Sequence, residues 1–196
     1  VAQSLGINTT SLVALFSVAG LAISLAVQGS LSNIASGIVV LITKPFLAGD
    51  YIDAAGVSGV VREVGFIHTK IVTVDNKVIY VPNSDISASD IVNYSSEPLR
   101  RVDLNFEASY DAPINNVKAA LLKAVNDCGV FIDDPAVFIS VSQYKESSIE
   151  YVVRAWINNA DYWTGYYGLI ENVKKEFDAA GIEMTYNHIN VHMMKD

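Results

Sequence analysis

The chain is 196 residues long, room for one large or two small water-exposed domains beside a membrane segment, and its mean hydropathy of +0.31 is high for a protein that lives wholly in water. Its 13 basic and 21 acidic residues give a formal charge of −8, which argues against a nucleic-acid partner, since such partners select basic faces. Every one of those charges lies from Lys44 onward, and Val1 to Thr43 contains no Asp, Glu, Lys, Arg or His.

The run SLVALFSVAGLAISLAVQGSLSNIASGIVVLIT is too long and too apolar to lie on the surface of a water-soluble domain. About 20 apolar residues cross the hydrocarbon core as a helix. The run has no positive n-region and exceeds a signal-peptide h-region, so it reads as a membrane helix. No initiator Met precedes it, and the chain is read as a segment of a longer protein with further spans upstream.

Advancing about 100° per residue puts Ala14, Val18, Leu21, Leu25 and Gln28 on one narrow stripe. Ser17, Gly20 and Ser24 flank it on one side, and Ala22, Ala26 and Gly29 on the other. Leu12, Phe16, Ile23 and Val27 face away. Small residues let membrane helices approach closely. Two small flanks suit a helix with an identical neighbour on each side, which is a ring with the stripe toward its axis. Leu21 and Leu25 would then stack as apolar constrictions that stop ions by dewetting. A single lipid-facing anchor helix is the alternative.

Gln28-Gly29-Ser30 follows. Gly costs roughly 1 kcal/mol in a helix relative to Ala, and kinks favour Gly/Ser pairs. The rest of the run, interrupted by Ser32, Asn33, Ser36 and Gly37, reads as a second helix bent away at Gly29 along the membrane interface, or as the continuation of one longer tilted helix. Lys44-Pro45 ends it, because Pro disfavours helix in the residue before it. Lys44 at the membrane interface suits a cytoplasmic flank.

Beyond Phe46 the pattern shortens. Tyr51-Ile52, Val57–Val61, Ile67–Val74 and Val78–Pro82 read as strands, with Asp75-Asn76 as a tight turn. From Arg101 the order is strand (Val102–Ala108), helix (opened by Asp111-Ala112-Pro113, to about Asn126), strand (Phe138–Tyr144), strand (Ile149–Ile157) and helix (Trp163–Ala180), with Gly181 as its stop. The aromatic run Tyr162, Trp163, Tyr166 and Tyr167 reads as helix-to-sheet packing, and Asp133-Asp134-Pro135 as a turn. His188 to Met194 alternates as a strand that must pair elsewhere. His188 and His192 share one of its faces, a solvated or packed face before a metal or pH site.

No phosphate-binding glycine loop and no thiol beside a partner His occur, so the sequence offers no catalytic residues, no metal site and no cofactor. Cys128 is the one cysteine; it cannot form an internal disulfide, fits a reducing compartment, and reads as a small buried hydrophobe.

AGLAISLAVQGSLSNIASGIVVLITKPFLAGDYI resembles the pore helix and linker of the small-conductance mechanosensitive channel family. TVDNKVIYVPNSDI, with Pro82-Asn83, and IVNYSSEPLRR resemble that family's β domain, and WINNADYW and KKEFDAAGIEMTYNHINV its C-terminal part. The likeness runs from about Thr10 to the C-terminus, with its motifs in family order. It implies a homo-oligomer, a heptamer in which three transmembrane helices per chain precede a hollow cytoplasmic vestibule. The protein would be a multi-pass inner (plasma) membrane protein with its C-terminal domain in the cytoplasm.

By the resemblance, Leu21 and Leu25 are the closed constriction, and Gly29 and Gly37 are hinges. Residues 1–44 are the pore-lining helix and kinked amphipathic helix, and residues 45–97 a Sm-like β domain. Residues 98–185 form an α+β, ferredoxin-like domain, and residues 186–196 a strand of an inter-subunit β barrel. Ser17 and Ser24 stand where Gly is common, Val18 where Ala is, and Tyr186-Asn187-His188 where the family has YPQ. The implied activity is opening by membrane tension, releasing ions and small osmolytes in hypo-osmotic shock, with membrane lipids as further partners. The alternative is a non-conducting, membrane-anchored oligomeric scaffold or binding module. An enzyme has no support.

Overall fold

The computed structural model describes residues 9–186. The expected C-terminal strand, with His188 and His192, lies outside the described residues. The chain divides between Ser96 and Glu97 into two compact units.

The first unit begins with α1 (Thr9–Thr43), a single helix of 35 residues. Its α-helical hydrogen bonding is unbroken across Gly29 and Gly37, so of the two readings, a second helix after Gly29 or one longer helix, the residues form the longer one. The penalty for a helical glycine is only about 1 kcal/mol. The Gly29 carbonyl also accepts a bond from Asn33 Nδ2 at 2.9 Å, within the same helix face. Pro45 does stop the helix: Lys44 turns to φ 47° while its N–H still reaches the Val40 carbonyl at 2.8 Å.

Five strands follow: β1 (Tyr51–Ala54), β2 (Val57–Val64), β3 (His68–Val72), β4 (Val78–Pro82) and β5 (Ile91–Asn93), with a short helix α2 (Asn83–Ala88) before the last. The sheet order is β4-β3-β2-β1-β5, antiparallel throughout. A bulge between Val61 and Glu63 re-aims β2. The β1–β2 hairpin turns on Ala55 and Gly56, both at positive φ (51° and 74°), as a two-residue loop matched to strand twist requires. Alanine is held in that backbone by its N–H, which donates to Ser89 Oγ at 3.0 Å.

The β3–β4 loop has three tip residues, where a two-residue turn is expected. Thr73 N–H pairs with the Lys77 carbonyl at 2.9 Å, and Asn76 takes φ 64°. Val40, Phe46, Ile52, Ala54, Val61, Ile71, Val81 and Ile86 form this unit's core, so the end of α1 belongs to it.

The second unit runs β6 (Leu99–Ala108), α3 (Ile114–Asp127), β7 (Phe131–Ile132), β8 (Phe138–Tyr144), β9 (Ile149–Asn158), a 3-10 turn (Asn159–Asp161) and α4 (Tyr162–Ala179). β9 is central, pairing β6 over ten residues on one edge and β8 and β7 on the other. Strand alternation sends Ile149, Tyr151, Val153, Ala155 and Ile157 into the core beneath α3 and α4. Gly165 lets α4 approach: a Cβ there would sit 2.3 Å from Ile157 Cδ1. Gly181, at φ 66°, follows the end of α4.

The aromatic run splits. Tyr162 and Tyr166 pack against the core, but Trp163 and Tyr167 face outward, 60% and 58% exposed, stacked on each other. Only one face of a helix can meet the sheet, and Gly165 and Leu169 occupy it. Cys128 is half-buried, and burial pushes its thiol up from its ordinary range. On the exposed side, the Lys145 ammonium bridges Glu107 (2.6 Å) and Glu150, holding both carboxyls below their usual range. That contribution is present at neutral pH and is lost as pH falls through the lowered carboxylate values.

Tyr151 is fully buried, and its hydroxyl has no partner among the described residues. A buried hydroxyl without a hydrogen bond costs about 1–3 kcal/mol. Tyr151→Phe should therefore leave the protein as stable or raise it by up to about 1 kcal/mol. Chemical denaturation of the two proteins checks this; a clear loss of stability would mean the hydroxyl is bonded.

Candidate functional site

All the residues singled out on the first helix lie on α1. Because α1 is one helix, Leu21 and Leu25 stand one turn apart on the same face as Ala14, Val18 and Gln28. Leu21 and Leu25 are 61% and 63% exposed, and a Cβ added at Gly20 or Gly29 would meet nothing within 4 Å. Ser17, Ala22, Ser24 and Ala26 are exposed too. From Thr10 to Thr43 the helix is long and apolar enough to cross a membrane, and its most apolar window buries nothing in this chain.

The lower turns differ. There α1 meets the β unit through its few polar and small residues. Gly37 is buried, and a Cβ on it would lie 2.5 Å from both Asn83 Nδ2 and the Phe66 carbonyl oxygen. Gly37, expected as a hinge, is here the point of closest approach. Asn83 is fully buried. Its Oδ1 accepts from Thr69 Oγ1 at 2.8 Å, its Nδ2 donates to the Gly65 carbonyl at 2.9 Å, and its backbone N–H donates to the Ile67 carbonyl at 2.9 Å. This explains the Pro82-Asn83 pair: Pro82 closes β4 opposite His68, and Asn83 opens α2 while locking the β2–β3 turn.

One turn up, Asn33 spans helix and β unit. Its Nδ2 holds the Gly29 carbonyl, and its Oδ1 accepts the Ser84 N–H at 3.0 Å. The exit from α1 is tied as well. Asn93 Nδ2 donates to the Pro45 carbonyl at 3.1 Å and to Asp50 Oδ2 at 2.9 Å, and the same carboxylate oxygen accepts the Leu47 N–H at 2.9 Å. Lys44 is exposed at the helix end.

Sequence reasoning noted Asn33 only as an interruption and gave no role to Asn83, Ser84 or Asn93. The available signal was an amide in an otherwise apolar helix, which demands a partner. Among the described residues no group of three or more His, Cys, Asp or Glu is placed to hold a metal ion.

A helix fit to span a membrane, seated on a five-stranded antiparallel β unit and followed by an α+β sandwich, defines a membrane protein of one particular fold. Residues 29–96 match the family described as "Mechanosensitive ion channel, beta-domain", and residues 102–184 that described as "Mechanosensitive ion channel MscS, C-terminal". The small-conductance mechanosensitive channel of Edwardsiella ictaluri is 45% identical over 175 residues, 89% of this chain and 61% of that protein. An uncharacterized MscS family protein of Buchnera aphidicola subsp. Schizaphis graminum is 34% identical over 97% of this chain and 68% of its own.

The closed-state crystal structure of Helicobacter pylori MscS superposes with a TM-score of 0.92 at 27% identity, covering 99% of this chain and 77% of that one. Arabidopsis thaliana MSL1 shares the fold, with a TM-score of 0.77 at 22% identity. The chain belongs to the MscS family of mechanosensitive channels, a class of membrane channels and not of enzymes. It spans about six tenths of the length of the Edwardsiella protein.

Gly37→Ala should unseat the helix. Backbone and a buried amide line the space its methyl would need, and overpacking of that kind costs about 1–3 kcal/mol. The expected result is a lower thermal midpoint for the purified full-length protein and faster hydrogen exchange at Phe66 and Ser84. An unchanged midpoint and exchange pattern would refute the close seat.

Proposed function

We propose that this chain supplies the pore helix and the two water-exposed units of a channel opened by membrane tension, which releases ions and small osmolytes during hypo-osmotic shock. Identical chains assemble as a ring, a heptamer by family likeness. α1 crosses the plasma membrane, and Lys44 and both units lie on the cytoplasmic side, as the positive-inside tendency favours. The observation that carries the reading is α1 itself: an uncharged helix whose most apolar window buries nothing in its own chain. Such a helix needs lipid on one side and other helices on the other. Ser17, Gly20 and Ser24 on one flank, and Ala22 and Ala26 on the other, suit close contact with two neighbours.

Ala14, Val18, Leu21, Leu25 and Gln28 then line the pore. Leu21 and Leu25 form the gate, closed by dewetting. Tension favours whichever conformation occupies more membrane area, as a ligand favours the state it binds better. Gly29 is the hinge at which the helix bends as the ring rearranges, since glycine makes a local change of backbone cheap.

The test is single-channel recording from the full-length protein in liposomes under suction. A channel opens in steps with tension; a scaffold gives none. Leu21→Ser hydrates the gate, so a closed-state leak or a lower opening threshold is expected, and an unchanged threshold with no leak would remove Leu21 from the gate.

Ion preference follows from where the charge sits. All of the −8 lies beyond α1, and acidity around an entrance concentrates cations. Much of it faces open solvent, where salt screens it within about 8 Å. Weak selectivity with a slight cation lean is expected from reversal potentials in a salt gradient. A clear anion preference would show that a few local residues, rather than net charge, set the filter.

A further inference from the structure

The turn between β2 and β3 has unusual chemistry for a turn in water. Gly65 N–H donates to the His68 carbonyl at 3.0 Å, so Phe66 and Ile67 are its tip residues. Tight turns favour Gly, Asn, Asp and Ser. Here Phe66 is 70% and Ile67 40% exposed. The base of the turn is fixed, because Asn83 holds the Gly65 carbonyl and the Phe66 carbonyl lies against Gly37 of α1. The fold thus holds two apolar side chains outward on a rigid base beside the helix that is fit to span a membrane.

The lower turns of α1 present a matching surface. Ser32, Asn33, Ser36, Gly37 and Val40 share one half of the helix, and Asn33, Gly37 and Val40 are wholly or partly buried against the β unit. Leu31, Ile38, Val39 and Ile42 fall on the other half, all exposed. At 1.5 Å per residue α1 is about 52 Å long against a hydrocarbon core of about 30 Å, and the charged β unit packs on Asn33, Gly37 and Val40, which sets these turns at or beyond the edge of the core. Lys70, half-buried with its ammonium 5.8 Å from the Tyr80 ring centroid, supplies positive charge next to the tip, and His68 lies exposed beside it; Glu63 is the acid in the same groove.

We propose that the Phe66–Ile67 tip inserts into the phospholipid surface and, with the apolar face of the lower turns of α1, anchors the β unit to the membrane. His68 and Lys70 sit where anionic headgroups would be. The proposal rests on the reading of α1 as membrane-spanning.

The test is photo-crosslinking of the full-length protein in phosphatidylcholine–phosphatidylglycerol vesicles doped with a headgroup-tagged phospholipid. Phe66→p-benzoylphenylalanine is compared with Val74→p-benzoylphenylalanine. Val74 is an 86% exposed apolar residue past the opposite end of β3. Tagged-lipid adducts several-fold more abundant at position 66 are expected, and Ile67→p-benzoylphenylalanine gives the same reading should the first variant not fold. Equal labelling at 66 and 74, or crosslinks from 66 only to a second protein chain, would overturn the anchor. Suction recordings on the same vesicles separate the two claims. Normal opening without lipid adducts defeats the anchor alone, and adducts without tension-driven opening defeat the channel reading alone.

Discussion

The seat of α1 on the β unit at Gly37 is the contact on which the rest of the arrangement depends. A helix can lie this close to a turn only where it has no side chain, and the turn can hold its carbonyl there only because Asn83 fixes the preceding one. Asn83 in turn is fully buried, so its amide must be bonded on both sides, and Thr69 and Gly65 supply the partners. Removing any one member leaves a buried polar group unpaired. The seat is therefore held by polar satisfaction as much as by apolar contact, in a region where the helix offers little apolar surface to the β unit.

The same logic makes the connection stiff. Asn33 bonds both its own helix and Ser84, and Asn93 bonds both the α1 exit and the loop ahead of β1. With Phe46 buried in the core at the first turn beyond Pro45, the chain has no slack between the last turn of α1 and the first strand. These amides tie the helix to the β unit from Asn33 to its exit, while Leu21 and Leu25 above Gly29 lie exposed. Gly29 lies at that border. Its continuous helical bonding and the place it offers for a bend are compatible, since a glycine held by one side-chain bond to its carbonyl needs little to rearrange.

Much of the fold was legible because it follows from periodicity. The uncharged run, the four alternating strands before Pro82 and the strand–helix–strand–strand–helix order after Arg101 all carry patterns of period 3.6 or 2. The elements missed are short. α2 has six residues, β5 three and β7 two, too few for any period to register, and each is specified by partners distant in sequence, as when Asn33 accepts the Ser84 N–H from α2. The aromatic run misled for a related reason: composition announces packing, but only geometry tells that Trp163 and Tyr167 lie on the outer side of α4. In the candidate site, spacing placed Leu21 and Leu25 on one face, yet Asn83 stood out only as part of a motif and the hydrogen-bonding roles of Asn83 and Asn93 could not be read, because a satisfied amide has no sequence signature of its own.

The partition of charge would set the terms for any permeation through the proposed ring. A helix with no ionisable residue brings no formal charge to the path, so in the proposed ring a constriction made by Leu21 and Leu25 would close by dewetting rather than by charge. Any preference between ions must arise in the charged units, where the Arg101–Asp103 pair and the Glu107–Lys145–Glu150 network neutralise part of the acidity locally. On the channel reading proposed above, closure and selection are separated along the chain: substitutions in α1 would act on whether the path is open, and substitutions beyond Lys44 on what passes. That separation is written in the sequence before any fold is considered, since the first charge falls one residue past the end of the helix.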